Sequence, residues 1–296
     1  MSDLLKRNIV NTFLIAVTLF SSSSLDAKAP KTIKDSLSVD GPYILYTDSG
    51  VRVITVDGSG EIIDRTLPNL PEGYTFTVTD HRGKLPFKVT IRKTEREPWL
   101  YPRNPERTFV MSDPHGRLDC VVSLLRGNGV IDRNMDWTFG DGHLVVIGDI
   151  FDRGEDVTQI FWLFYKLQGE APLSGGKVTM FLGNHEPMEF SGDMRYSRPK
   201  YPALAKELGL EYMALFGKDS ELGRWISRWN TVGIIGQDIF THGGLGKDFY
   251  DWNLPIEEVN RQMSRVIFEK NADRKATSDT LNFLYGSYGP IWYRGL

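Results

Sequence analysis

Residues 144–154 read Leu-Val-Val-Ile-Gly-Asp-Ile-Phe-Asp-Arg-Gly. Four consecutive apolar residues predict a strand covered on both faces. The glycine-bounded turn that follows sets Asp149, Asp152 and Arg153 at the strand's end. The same layout recurs on either side. Residues 108–111 run into Asp113-Pro114-His115-Gly116, and residues 177–182 run into Gly183-Asn184-His185-Glu186. Strand material bracketing Gly236 leads to His242-Gly243-Gly244. Helical patterns over 117–126 and 156–168 separate the first three strands. Alternation of this kind argues for a layered α/β core. In such sheets ligands collect just beyond the carboxyl ends of the strands, so the four turns are expected to converge.

The residue types in those turns suit metal chemistry. Asp, Asn and His supply hard oxygen and imidazole ligands fit for Mn, Fe or Zn. Asp149 offers two oxygens and can bridge two cations. Asp113 and His115, two apart on an extended segment, can hold one of them, and Asn184 and His242 the other. Two cations about 3.5–4 Å apart activate a water and neutralise phosphoryl oxygens during in-line displacement. His185, following Asn184 in what reads as an extended turn, is expected to point away from that metal.

The succession DxHG, GDxxDRG, GNHE and HGG resembles the calcineurin-like metallophosphoesterases, and the full GDxxDRG and GNHE forms resemble their phosphoprotein phosphatase branch. The resemblance spans roughly residues 107 to 250 with a further piece near the C-terminus. With the run at residues 289–295, Gly-Pro-Ile-Trp-Tyr-Arg-Gly, it is nearest to the bacterial Shewanella-like phosphatases. It implies an α/β fold, a metallophosphoesterase-type β-sandwich flanked by helices with a small N-terminal β-rich region. It further implies two divalent or trivalent ions held by Asp113, His115, Asp149, Asn184 and His242. His185 is then the general acid, oriented by Asp152, and Arg153, Asn184 and Arg294 bind the phosphate. The implied reaction is hydrolysis of phosphate monoesters, most naturally of a phosphoprotein, by direct attack of a water between the metals. Ser112 stands where many members carry glycine. The family also has a metal-binding His beyond the substrate arginine. The histidines here are His81, His115, His143, His185 and His242. The resemblance therefore implies a C-terminally incomplete domain, with a metal one ligand short as the alternative.

The remainder of the 296 residues bounds this reading. With 41% hydrophobic residues the chain can bury a large core, and a net charge of -3 advertises no nucleic-acid partner. One cysteine, Cys120, excludes an intrachain disulfide. Residues 1–29 order a basic start, an apolar stretch, serines and Ala27-Lys28-Ala29, the layout of a secretory signal, and predict export to the periplasm or medium. No later segment has the ~20 apolar residues of a membrane span. Residues 30–106 read as hairpins, with an Asp57-Gly58 turn, and 107–296 as the phosphoesterase domain. Phe161, Trp162, Phe164 and Tyr165 have core spacing. His143 reads as a surface or edge residue, His81 as part of a turn, and Arg195, Arg198 and Lys200 as solvated cations or as a rim for an anionic substrate. Two rival functions remain: a phosphodiesterase or nucleotide hydrolase of the same superfamily, and a non-catalytic binding protein on that scaffold. Arg153 beside the bridging Asp149 favours the monoester, whose dianion gains more from a bidentate guanidinium.

Overall fold

The computed structural model describes residues 37–269 and 279–295. The signal-like segment 1–29 lies outside the described residues, as does Lys270, where the sequence pattern of residues 256–270 reads as a helix. The N-terminal part opens with an antiparallel meander of β1 (Asp40–Thr47), β2 (Gly50–Val56) and β3 (Ile62–Leu67). Asp57 Oδ1 closes the β2–β3 loop by accepting from the N–H groups of Ser59 and Glu61 at 2.8 and 3.0 Å. A hairpin of β4 (Thr75–Val78) and β5 (Phe87–Thr90) follows, then the short β6 (Leu100–Tyr101).

The centre is a three-stranded parallel sheet, ordered β7 (Thr108–Met111), β8 (His143–Ile147), β9 (Lys177–Phe181). Its crossovers carry α1 (Leu118–Gly127) and α2 (Val157–Glu170). Helices α3 (His185–Phe190), α4 (Lys200–Glu207) and α5 (Glu221–Ile226) then lead to β10 (Val232–Ile235) and β11 (Asp238–Thr241). Residues 194–230, a stretch whose pattern reads as mostly helical, form short pieces separated at Gly209 and Gly217, because helices of six to eight residues are held by packing rather than propensity. Helices α6 (Lys247–Trp252), α7 (Ile256–Phe268) and α8 (Asp279–Tyr285) complete the order.

β10 pairs antiparallel with β11 and parallel with β6, making a second sheet that draws β6 away from the other N-terminal strands. Val145 and Phe181 from the parallel sheet pack against Ile235, Tyr101 and Phe240 from this one, the interior of a sandwich. Phe181 stacks on Phe240 with centroids 6.3 Å apart.

Helix α2 is buried all round from Val157 to Leu167. Such a helix has no solvent face, so other elements must cover every side of it. The N-terminal strands do so on one side. Trp162 Nε1 donates to Pro42 O at 2.9 Å, and the Tyr165 hydroxyl accepts from Arg92 N at 3.0 Å and donates to Glu221 Oε1 at 2.8 Å. Asp156, the residue before α2, makes no side-chain cap to the helix. Its carboxylate accepts instead from His81 N (2.6 Å) and lies 2.9 Å from His81 Nδ1. The His81 turn is therefore a clasp on the helix that leaves the GDxxDRG turn. Phe161, Trp162, Phe164 and Tyr165 are all fully buried, as their spacing predicts.

His143 departs from expectation. It opens β8 and is buried, with Nε2 2.8 Å from Thr179 Oγ1 on β9, because the strand starts one residue earlier than the apolar run suggests. Burial, with Lys177 nearby, lowers its pKa to about 4. A folded pKa below the unfolded value of about 6.5 means the unfolded chain binds the extra proton first. Stability from this group is thus full at neutral pH and lost as pH falls from about 6.5 toward about 4. We expect urea denaturation to show a loss of about 2 kcal/mol between about pH 7 and about pH 5 from this site, absent in His143→Gln. An identical pH slope in the variant refutes the assignment.

Candidate metal and phosphate centre

The DxHG and GDxxDRG turns lie side by side. Asp113 N donates to Gly148 O, His115 N to Asp149 O and Gly116 N to Ile150 O, at 3.1–3.2 Å. This packing is so close that a Cβ on Gly154 would sit 2.2 Å from Gly116 O. It also forces left-handed backbone. Of the seven non-glycine residues with positive φ among the described residues, Asp113, His115, Asp149, Asp152 and Arg153 fall in these two turns. That concentration marks a functional site, since each such residue is strained and must be held by its surroundings.

The clamp is Glu186, fully buried. Its Oε2 accepts from Asp149 N (3.0 Å) and Gly183 N (2.7 Å), and its Oε1 from Ile150 N (2.8 Å). One side chain of the GNHE turn thereby fixes the backbone of the GDxxDRG turn. In return Asp149 Oδ1 accepts from His185 N at 2.8 Å. Gly183 must be glycine here, since a Cβ would fall 2.1 Å from Asp149 Oδ1.

These restraints bring Asp113, His115, Asp149, His185 and His242 together. The Nε2 atoms of His242, His115 and His185 lie 3.3, 3.8 and 3.9 Å from Asp149 Oδ2, and His115 Nε2 lies 3.6 Å from Asp113 Oδ1. The other nitrogen of each ring is engaged. His115 Nδ1 meets Phe151 O at 2.8 Å, His242 Nδ1 meets Ile147 O at 2.7 Å, and His185 Nδ1 meets Asp152 Oδ2 at 2.5 Å. Backbone carbonyls take the Nδ1–H of His115 and His242, so both rings turn Nε2 toward Asp149.

Two groups with ligand atoms within 4.8 Å of one another result: Asp113, Asp149 and His242, and His115, Asp149 and His185. The set fits metal ions. Three imidazoles surround one carboxylate oxygen, two of them at separations too long for hydrogen bonds, an arrangement suited to a cation about 2.0–2.2 Å from each ligand. Electrostatics agree. Burial pushes Asp113 up, but hydrogen bonds from His115 and Ser112 and the charge of His242 outweigh it and hold the carboxyl well below the usual range. Burial pulls His242 down, yet Asp149 raises it to about 9. The carboxylates thus create a site that draws positive charge.

Asn184 occupies the position before α3. Its Oδ1 accepts from Arg294 Nη2 at 3.1 Å, so the structure links these two residues directly. His185 is the first residue of that helix rather than part of an extended turn, because Asn184 itself has helical dihedrals. Its ring still faces Asp152 on one side and Asp149 on the other. Burial lowers its pKa, but Asp152, by hydrogen bond and charge, with Asp149, reverses the sign and raises it. Arg153 sits over the Tyr196 ring at 5.9 Å. Among the described residues neither Arg153 nor Arg294 is paired with a carboxylate.

The remaining basic residues divide. Arg195 is held by Asp193 and Arg198 by Glu155, both near the surface, whereas Lys200 is buried against Asp40 at 3.4 Å and cannot meet a substrate. Sequence reasoning gave no role to Glu186, although GNHE displays it, nor to Ser112, whose hydroxyl lies 2.5 Å from Asp113 Oδ2. It missed Glu189 and Ser197 altogether. Ser197 Oγ bonds Glu189 and lies 3.1 Å from Asp152 Oδ1, extending the support behind His185; no motif marks either residue.

Residues 106–294 match the family described as calcineurin-like phosphoesterase. An uncharacterized protein of Schizosaccharomyces pombe is 31% identical over 199 residues, 65% of this chain and 58% of that protein. Shewanella-like protein phosphatase 2 of Arabidopsis thaliana is 26% identical over 64% of this chain and 56% of its own length. The chain thus spans little more than half of these curated relatives. The crystal structure of a cold-active protein-tyrosine phosphatase from a psychrophilic Shewanella is 31% identical with TM-score 0.77, covering 86% of this chain and 76% of that one.

Replacing Glu186 by Gln turns one of its oxygens into a donor facing backbone N–H groups. We expect a loss of about 1–3 kcal/mol in stability and a fall in bound Mn²⁺ per chain, read by thermal denaturation and metal analysis. A variant matching the parent in both shows that the turns hold without the clamp.

Proposed function

The chain belongs to the calcineurin-like phosphoesterases, and from that premise we propose that it hydrolyses phosphate monoesters, with phosphorylated protein as substrate and two metal ions at Asp149. The observation that carries this reading is the convergence of three imidazole Nε2 atoms on Asp149 Oδ2, with His185 backed by Asp152. Asp113, His115, Asp149, Asn184 and His242 would hold the ions, and His185 is kept for proton transfer. Two cations there would supply charge neutralisation at the phosphoryl oxygens and a water acidic enough to attack near neutral pH.

The chain's own groups do the rest. Asp152 fixes the His185 ring and favours its protonated form, leaving Nε2–H to serve the departing oxygen. Arg153 and Arg294, without carboxylate partners among the described residues, provide donors for a phosphate dianion, and this supports a monoester over a diester. Arg294 is also tied to Asn184, which places one phosphate-binding group beside one ligand. The names of the curated and solved relatives, protein phosphatases, support a phosphoprotein substrate. The order of residues 1–29 supports export; N-terminal sequencing of secreted protein should then begin near residue 30, and an intact Met1 rules it out.

Metal-loaded protein should cleave p-nitrophenyl phosphate and leave the bis-ester largely untouched; the reverse preference favours a diesterase. His185→Ala should lower kcat by about 10²–10⁴-fold on esters with poor leaving groups and less on p-nitrophenyl phosphate, with metal content retained. A loss of metal in that variant instead makes His185 a ligand, the role its grouping with His115 and Asp149 also permits.

A further inference from the structure

Behind the His185–Asp152 pair lies a second buried carboxyl, Glu189, one turn along α3 from His185. The groups that act on it are Asp152 of the GDxxDRG turn, Ser197, Asp193 and Tyr212. Among the described residues no Lys, Arg or His forms an ion pair with it. Ser197 stands between the two carboxyls. Its Oγ shares a hydrogen bond with Glu189 Oε1 and lies 3.1 Å from Asp152 Oδ1. A serine hydroxyl has one hydrogen to give and two lone pairs to accept with. It cannot donate to two carboxylates at once. His185 Nδ1, on the other oxygen of Asp152, favours the ionised form there, so the missing hydrogen belongs to Glu189. Glu189 Oε1–H then donates to Ser197 Oγ, and Ser197 Oγ–H donates to Asp152 Oδ1. The Tyr212 hydroxyl, which also bonds Ser197, takes its second lone pair. The remaining oxygen agrees. Glu189 Oε2 is buried with no hydrogen-bond partner among the described residues. A bare carboxylate oxygen in that position costs far more than the carbonyl oxygen of a neutral acid. Burial, then the hydrogen bond to Asp152, then the charges of Asp152 and Asp193 push the Glu189 pKa up to about 9, against the pull of Ser197.

We propose that Glu189 is a positioning residue that works as a neutral carboxylic acid: its hydrogen bond to Ser197 turns the serine hydroxyl toward Asp152, and so fixes the carboxylate that orients His185. The task of His185 rests on the phosphomonoesterase reading above; the place of the proton does not. An ionised Glu189 would claim the Ser197 hydrogen for itself and set a second negative charge beside Asp152. Asp152 Oδ1 would then lose its donor and the carboxylate could turn away from the imidazole. Glutamine reproduces the neutral acid, with an N–H donor, a carbonyl oxygen and no charge. It should therefore replace Glu189, the opposite of what a working carboxylate shows.

The test compares parent, Glu189→Gln and Glu189→Ala in the full Mn²⁺-loaded chain. Infrared difference spectra near neutral pH, parent against Glu189→Gln, read the C=O band of a protonated carboxyl group. That band should be present in the parent and missing in the variant. Turnover is read on an alkyl phosphate, whose leaving group is poor, and on p-nitrophenyl phosphate. Glu189→Gln should keep kcat within about threefold on both esters, since it preserves donor and neutrality. Glu189→Ala should lose about 10- to 100-fold on the alkyl ester and less on p-nitrophenyl phosphate, with metal content kept. Absence of the protonated band overturns the proposal. So does a Gln variant as impaired as the Ala variant, since the charged carboxylate is then the working form. A folded Ala variant with parental kcat on the alkyl ester overturns it too. Should Ala prevent folding, the band and the Gln variant decide. A parent that hydrolyses neither ester refutes the hydrolase reading, and the infrared band then decides alone whether Glu189 carries the proton.

Discussion

Glu186 accepts hydrogen bonds from the backbone N–H groups of Asp149, Ile150 and Gly183, and the geometry of the whole centre descends from those three contacts. They join the end of β8 to the end of β9 through one buried side chain. Burial, then the nearby charge of Asp149, raises the Glu186 pKa against the pull of its three donors. Repulsion between two neighbouring carboxylates is relieved by protonation of one of them or by nearby positive charge. A pair of cations on Asp149 would supply that charge, and metal binding and the integrity of the turns are then two aspects of one balance.

The strained residues make sense on the same footing. Left-handed backbone recurs at Asp113, His115, Asp149, Asp152 and Arg153, and the first three bring their side chains into the two candidate ligand groups. Relaxed turns of the same length would point alternate side chains elsewhere. The strain costs of order 1–3 kcal/mol per residue and persists because parallel strands, the Glu186 clamp and interleaved glycines over-determine the backbone.

Much of this was legible in the sequence. The three strands of the parallel sheet are apolar runs that each end in a glycine-bounded polar turn, so their order and the position of the ligand residues could be read directly. The N-terminal hairpins announced themselves by Asp57-Gly58 and alternating residues. What escaped reading depends on tertiary packing. Short helices between residues 185 and 226 have too few turns to show a period. His143 looks like a polar strand end, and only its pairing with Thr179 on the neighbouring strand makes it an interior residue. Lys200 sits in a basic run, and nothing local reveals that Asp40, far away in sequence, neutralises it inside the protein. The network of Glu189 and Ser197 behind Asp152 is likewise assembled from segments with no common motif.

The clasps on helix α2 carry a consequence for how the chain reaches this state. His81 meets Asp156 across 75 residues, Arg92 meets Tyr165 across 73, and Pro42 meets Trp162 across 120. During synthesis the meander and hairpin emerge first, while the helix that will cover them has not yet been made. Their apolar faces and open strand edges must wait through that interval, the circumstance in which nascent β-structure aggregates. A chain of this design gains from any partner that keeps its first third extended until the rest arrives, whether a ribosome-bound chaperone or a translocation channel.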